Sequence, residues 1–138
     1  MFDTTHFHPM LVHFPIAIIM VGVLADFSSL LLNKEKCLST MGLYLEVLGM
    51  LAAIAAFVTG YFLTGDVLEG AGVNGSRHEL FATLTLVTII FATVFRLTTI
   101  FFKKESSLKY FSLGAFLLAA VFVGITGYYG GMIVFGNM

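Results

Sequence analysis

His8-Pro9-Met10-Leu11-Val12-His13-Phe14-Pro15 opens a run that carries no charged side chain until Asp26 and no polar break until Asn33. Histidine is costly in hydrocarbon, and proline costs a helix a hydrogen bond unless it stands in the first turn. A stretch that sets both at the mouth of an apolar run raises two questions: what surrounds the run, and what the imidazoles do there.

Composition answers the first. Of 138 residues, 59% are hydrophobic and 11% charged, with a mean hydropathy of +0.99. A soluble domain carries about a quarter charged residues. The deficit points to a single integral membrane domain over residues 1–138. A net charge of −1 leaves no basic surface to neutralise phosphates, so no nucleic-acid partner is expected. One cysteine, Cys37, excludes an internal disulfide and a cysteine-based metal cluster. The first twelve residues hold no Lys or Arg, so the n-region of a cleavable signal peptide is missing.

Four apolar stretches follow, separated by Asn33-Lys34-Glu35-Lys36, Thr64-Gly65-Asp66 and its sequel to Glu79, and Lys103-Lys104-Glu105-Ser106-Ser107. Each has roughly the 20 residues needed to cross ~30 Å of hydrocarbon, where only helices pair every backbone group within one segment. Helices are predicted over about 9–32, 41–63, 78–102 and 108–134. The fold class is all-α: a four-helix transmembrane bundle of two antiparallel hairpins.

Basic residues set the expected orientation. Lys34, Lys36, Arg96, Lys103, Lys104 and Lys109 lie at or near two of the breaks, and only Arg77 lies on the opposite side. By the positive-inside rule both termini face outward, which in the bacterial inner membrane means the periplasm. His6, His8, His13 and His78, all four histidines of the chain, then open helices from that same outer face.

The starts of two helices can be read more closely. Ser76-Arg77-His78-Glu79 fits a capping box, with Ser76 as N-cap and Glu79 at N3. The first helix begins either at Pro9, which leaves Pro15 inside it to free the Leu11 carbonyl and kink it, or at Pro15 itself. A short internal repeat is also visible. Thr59-Gly60-Tyr61 in the second apolar run matches Thr126-Gly127-Tyr128 in the fourth, which makes the hairpins two parallel repeats and sets His13 opposite His78.

His8-Pro9-Met10-Leu11-Val12-His13-Phe14-Pro15-Ile16-Ala17, then Asp26, His78 and Gly127-Tyr128-Tyr129-Gly130-Gly131-Met132-Ile133-Val134-Phe135-Gly136, resembles the domain-of-unknown-function 2231 family of predicted bacterial four-helix membrane proteins. The resemblance covers nearly the whole chain. It implies histidines at the outer ends of helices one and three, often another near the C-terminal glycines, and sometimes a setting beside cytochrome or other redox domains. Phe135-Gly136-Asn137 stands here where that last histidine would fall, so one ligand of a four-histidine set is missing.

Imidazole is the usual axial ligand of b-type haem, and two helices of a bundle can clamp the iron. The expected site is therefore one haem b near the outer face, its iron held by His13 and His78 with His8 in reserve. Small residues beside it, Gly60 and Gly65 on the second helix and Gly124, Gly127, Gly130 and Gly131 on the fourth, would give clearance. Gly127 and Gly131 equally suit close helix packing. The expected role is an electron carrier or redox-complex subunit, exchanging electrons with a quinone or a periplasmic cytochrome. Two other readings stand beside it. One is a transition-metal site that adds Asp66, Glu69 or Glu79 to the histidines; the other is a cofactor-free structural or assembly subunit, which could form homo-oligomers. No nucleophile-and-base pair, phosphate loop or HExxH pattern appears, so independent enzymatic activity is not expected. Asp26, Glu46 and Arg96 fall toward the inner half, where an acid paired with Arg96 is the expected arrangement and a proton relay the alternative.

Overall fold

The computed structural model describes residues 7–32, 36–102 and 108–136. Among them the chain forms α1 (Phe7–Leu31), α2 (Lys36–Leu63), the short α3 (Gly65–Gly70), α4 (Val73–Phe101) and α5 (Leu108–Phe135), with no strand. Four of these, α1, α2, α4 and α5, are long and apolar enough to cross a membrane, with hydropathies of 2.0 to 2.1. At 1.5 Å per residue their 25 to 29 residues run ~38 to ~44 Å, more than the hydrocarbon thickness, so their ends reach the headgroup layers. All four are apolar on every side. Phe14, Leu24, Leu51, Phe91, Leu117 and many more point outward, a surface suited to lipid.

What turns inward is small. The buried face of α2 is Gly42, Glu46, Gly49, Ala53, Ala56 and Gly60, a three-to-four spacing that keeps one stripe on one side. A Cβ on Gly49 would stand 2.8 Å from Ile19 Cγ1 of α1, and one on Gly22 would stand 2.8 Å from Phe116 Cζ of α5. Between apolar helices in lipid such close approach supplies the van der Waals contact that holds them together. Ile19, Ile89, Ala92, Phe116 and Ala119 lie at 0% exposure and form the centre of the core. Hydroxyls inside the helices are satisfied locally: Thr85, Thr88 and Thr93 each donate to the carbonyl four residues back.

The helices pack as a ring. α1 lies mainly on α2 and α4 mainly on α5, while α1–α5 and α2–α4 contacts close the circle. Exchanging α1 with α4 and α2 with α5 reproduces these contacts, as two parallel hairpin repeats require.

Helix starts depart from the sequence reading. α2 begins at Lys36 rather than Met41, because a polar first turn, with Thr40 Oγ1 donating to Lys36 O at 2.8 Å, carries the helix beyond the apolar run. α4 begins at Val73, so the capping box at Ser76 does not form. The Ser76 N–H already donates to Gly72 O within the helical ladder, and the N-cap is Gly72, without a side-chain cap. Gly72, at φ 55, is the left-handed residue that lets the chain turn from α3 into α4. The segment expected as a loop from Thr64 to Glu79 is thus mostly helical, and α3 rests directly on α4: a Cβ on Gly75 would collide with Leu68 O. In α1, Pro9 falls in the first turn and Pro15 lies buried inside the helix. His6, Lys34, Lys103, Lys104 and Asn137 lie outside the described residues.

Candidate functional site

The chain passes α1 and α4 in the same direction and α2 and α5 in the other. The starts of α1 and α4 therefore share one end of the bundle with the last turns of α2 and α5. His8, the second residue of α1, and His78, in the second turn of α4, both lie at this end and are both half-buried.

Each imidazole is held by the partner helix of its own hairpin. His8 Nδ1 lies 3.0 Å from Thr59 Oγ1 of α2. That hydroxyl is 3.0 Å from both Ala55 O and Ala56 O, to which it can only donate, so it accepts from His8 Nδ1–H. His78 Nδ1 lies 3.1 Å from Thr126 O of α5; a carbonyl can only accept, so Nδ1 again carries the proton. In a neutral imidazole that leaves the lone pair on Nε2. Both rings therefore have one nitrogen fixed by the protein and the other, of ligand character, unengaged. A ring held in this way could offer Nε2 to a metal or haem iron.

Glycines let the rings lie against the opposite helix. A Cβ on Gly60 would stand 3.0 Å from His8 Cε1, and one on Gly130 would stand 3.3 Å from His78 Cε1. Beside them Arg77 Nη1 donates to Tyr129 Oη at 3.1 Å, with the guanidinium 5.6 Å from the ring centroid, and Tyr129 stacks on Phe81 at 6.0 Å.

The residues singled out from sequence are thus distributed unevenly. The structure sets His8 and His78 at the same end of the bundle, His8 against Gly60 and His78 against Gly130. His13 is exposed on the surface of α1, its Nδ1 donating to Pro9 O of its own helix at 2.7 Å. Gly127 faces α1, where a Cβ would stand 3.1 Å from Ile16 Cδ1, so it serves helix packing and not the imidazoles. Gly130, a turn beyond Thr126, takes the place expected of it. Thr59 and Thr126, noticed only as a repeat, are the two hydrogen-bond partners. Asp66, Glu69 and Glu79 are exposed, and among the described residues no group of three or more His, Cys, Asp or Glu converges as a metal site.

The opposite end holds a different polar cluster. Arg96 of α4 forms a two-pronged ion pair with Asp26 of α1 through Nη1–Oδ2 and Nη2–Oδ1, the latter 2.9 Å. Nη1 also donates to Glu46 Oε2 of α2 at 2.9 Å and Nη2 to Ser39 O at 2.6 Å. The expected pairing of an acid with Arg96 is present, with both acids.

A family model described as "Predicted membrane protein (DUF2231)" matches residues 4–137, and the chain belongs to that family. No curated protein and no solved structure matches it significantly.

Proposed function

We propose that this member of a family of predicted membrane proteins is a b-type haem electron-transfer protein or redox-complex subunit, its haem iron held between His8 and His78. The observation that carries this reading is the pair of imidazoles from α1 and α4, each with Nδ1 committed to a threonine and Nε2 left with its lone pair. Two nitrogens suffice for haem, because the porphyrin supplies the other four, whereas zinc or copper bound by protein alone wants three or four donors. When bound, haem would supply a one-electron couple within the apolar bundle. The chain's own residues would fix both rings from the far nitrogen, and Thr59 and Thr126 would raise the basicity of the ligating nitrogens. Arg77, next to His78 in sequence, offers positive charge at the rim for the carboxylates of a porphyrin.

The charge asymmetry of the sequence supports a bacterial inner-membrane setting with this end at the periplasmic side. A quinone or a periplasmic cytochrome is then the natural electron partner. A cofactor-free assembly subunit is the second reading, favoured by a core that Phe116, Ile19 and Ile89 fill from their own side chains.

The test is a visible spectrum of protein produced with ample haem and purified in mild detergent. Reduced protein should show the sharp bands of six-coordinate haem, lost or turned five-coordinate in His78→Ala. A colourless preparation would overturn the reading in favour of the assembly subunit.

A further inference from the structure

The ion-pair cluster at the arginine end has a feature its structural role does not require. Glu46 is 0% exposed and stands ten residues into α2, ~15 Å from the start of that helix. Its Oε2 accepts from Arg96, but its Oε1 is buried with no hydrogen-bond partner among the described residues. The groups that face it account for the charge. α1 contributes Asp26 and α4 contributes Arg96. The buried polar group of α5 at this level, Ser112, is uncharged and donates to Ala92 O at 2.9 Å, and Lys109 of α5 is exposed. Among the described residues two carboxyl groups therefore meet one guanidinium. With both ionised, the cluster holds one uncompensated negative charge in a low-dielectric interior, beside a buried oxygen without a hydrogen-bond partner among the described residues. Such a charge is far more costly than a neutral polar group.

We propose that Glu46 is a proton-binding site, with Oε1 carrying an exchangeable proton that the cluster takes up from and returns to water at the arginine end of the bundle. Uptake forms one O–H bond at Oε1 with a proton drawn from water or hydronium, and takes the cluster from a net charge of −1 to zero. Arg96, whose side chain is 15% exposed, and Ser39, whose carbonyl it bonds, lie between Glu46 and that end of the bundle. In the other direction α2 packs against the apolar core through Gly49 and Ala53, so this site is separate from the imidazole pair, ~20 Å along α2 from Thr59. It stands whether or not haem binds.

The experiment is infrared difference spectroscopy of the full chain in lipid bilayers across a pH change, with the glutamates unlabelled or 13C-labelled at the side-chain carboxyl. The expected result is a carboxylic-acid C=O band that moves with the glutamate label, moves again in heavy water, and is absent from Glu46→Gln. The exposed-residue controls Glu69→Gln and Glu79→Gln should keep it. Absence of any label-sensitive acid band while the protein stays folded would overturn the proposal. So would a band that survives Glu46→Gln, or one indifferent to heavy water. Should Glu46→Gln fail to fold, Glu35→Gln, Glu69→Gln, Glu79→Gln and Glu105→Gln, which together remove every other glutamate, still decide the matter: the label- and heavy-water-sensitive band must survive all four.

Discussion

At one end of the bundle Arg96, Asp26 and Glu46 join three helices through side chains only 15%, 7% and 0% exposed; at the other, His8 and His78 are half-buried. The arginine end commits all its cationic donors that face the carboxylates, and so it resists the loss of any member. Removing one partner of a buried ion pair leaves the other charged and unsolvated, which is worse than never having built the pair. The imidazole end commits only half of each ring. Its Nδ1 atoms are tied to the neighbouring helix and its Nε2 atoms are not. Polar groups at the first end serve the fold, with Glu46 Oε1 as the exception. Those at the second leave one nitrogen of each ring without a partner among the described residues.

This contrast can be broken experimentally. Arg96→Met should have the largest effect, leaving Asp26 and Glu46 without their cation and costing about 3–5 kcal/mol of folding stability. The midpoint of SDS-induced unfolding in mixed micelles measures it; an unchanged midpoint would mean that the cluster holds nothing together. Gly42→Ala comes next. Its new methyl would collide with the Asp26 carboxylate and should cost about 1–3 kcal/mol by the same assay, whereas Gly114→Ala meets nothing within 4 Å and should leave the midpoint in place.

Thr59→Val tests the opposite end. The shape of the side chain is kept and the acceptor for His8 Nδ1 is lost. Stability should move little, while haem affinity in a reconstitution titration should fall about 10–100-fold, the usual cost of losing an outer hydrogen bond to a ligating histidine. Equal affinity would show that Thr59 does not position the ring.

Much of this was legible in the sequence, for reasons that differ residue by residue. The four spanning helices follow from hydropathy alone, because lipid leaves a chain few alternatives. The acids and Arg96 were readable as a set, since an unpaired charge there has nowhere else to go. The shared Thr-Gly-Tyr marked Thr59 and Thr126 as a repeat, without tying either to an imidazole. Helix starts were less legible: Lys36 to Thr40 and Val73 to Arg77 are polar, so hydropathy excludes them, yet their backbone continues the helical ladder. The choice between His8 and His13 was not legible at all. Both stand beside prolines at the mouth of one run, and five residues on a helix turn through about 500°, so they point in clearly different directions. Which one faces α2 depends on the rotation of α1 about its axis, and that is set by Ile19 packing against Gly49 and by Gly22 meeting Phe116 and Leu45.

The most direct measurement sets His8→Ala beside His13→Ala, each produced with ample haem and compared by the visible spectrum of the reduced protein. The imidazole pair of His8 and His78 predicts that His13→Ala keeps the sharp six-coordinate bands at full haem stoichiometry, while His8→Ala loses them or shows a five-coordinate spectrum. Full six-coordinate bands in His8→Ala, with loss in His13→Ala, would contradict it.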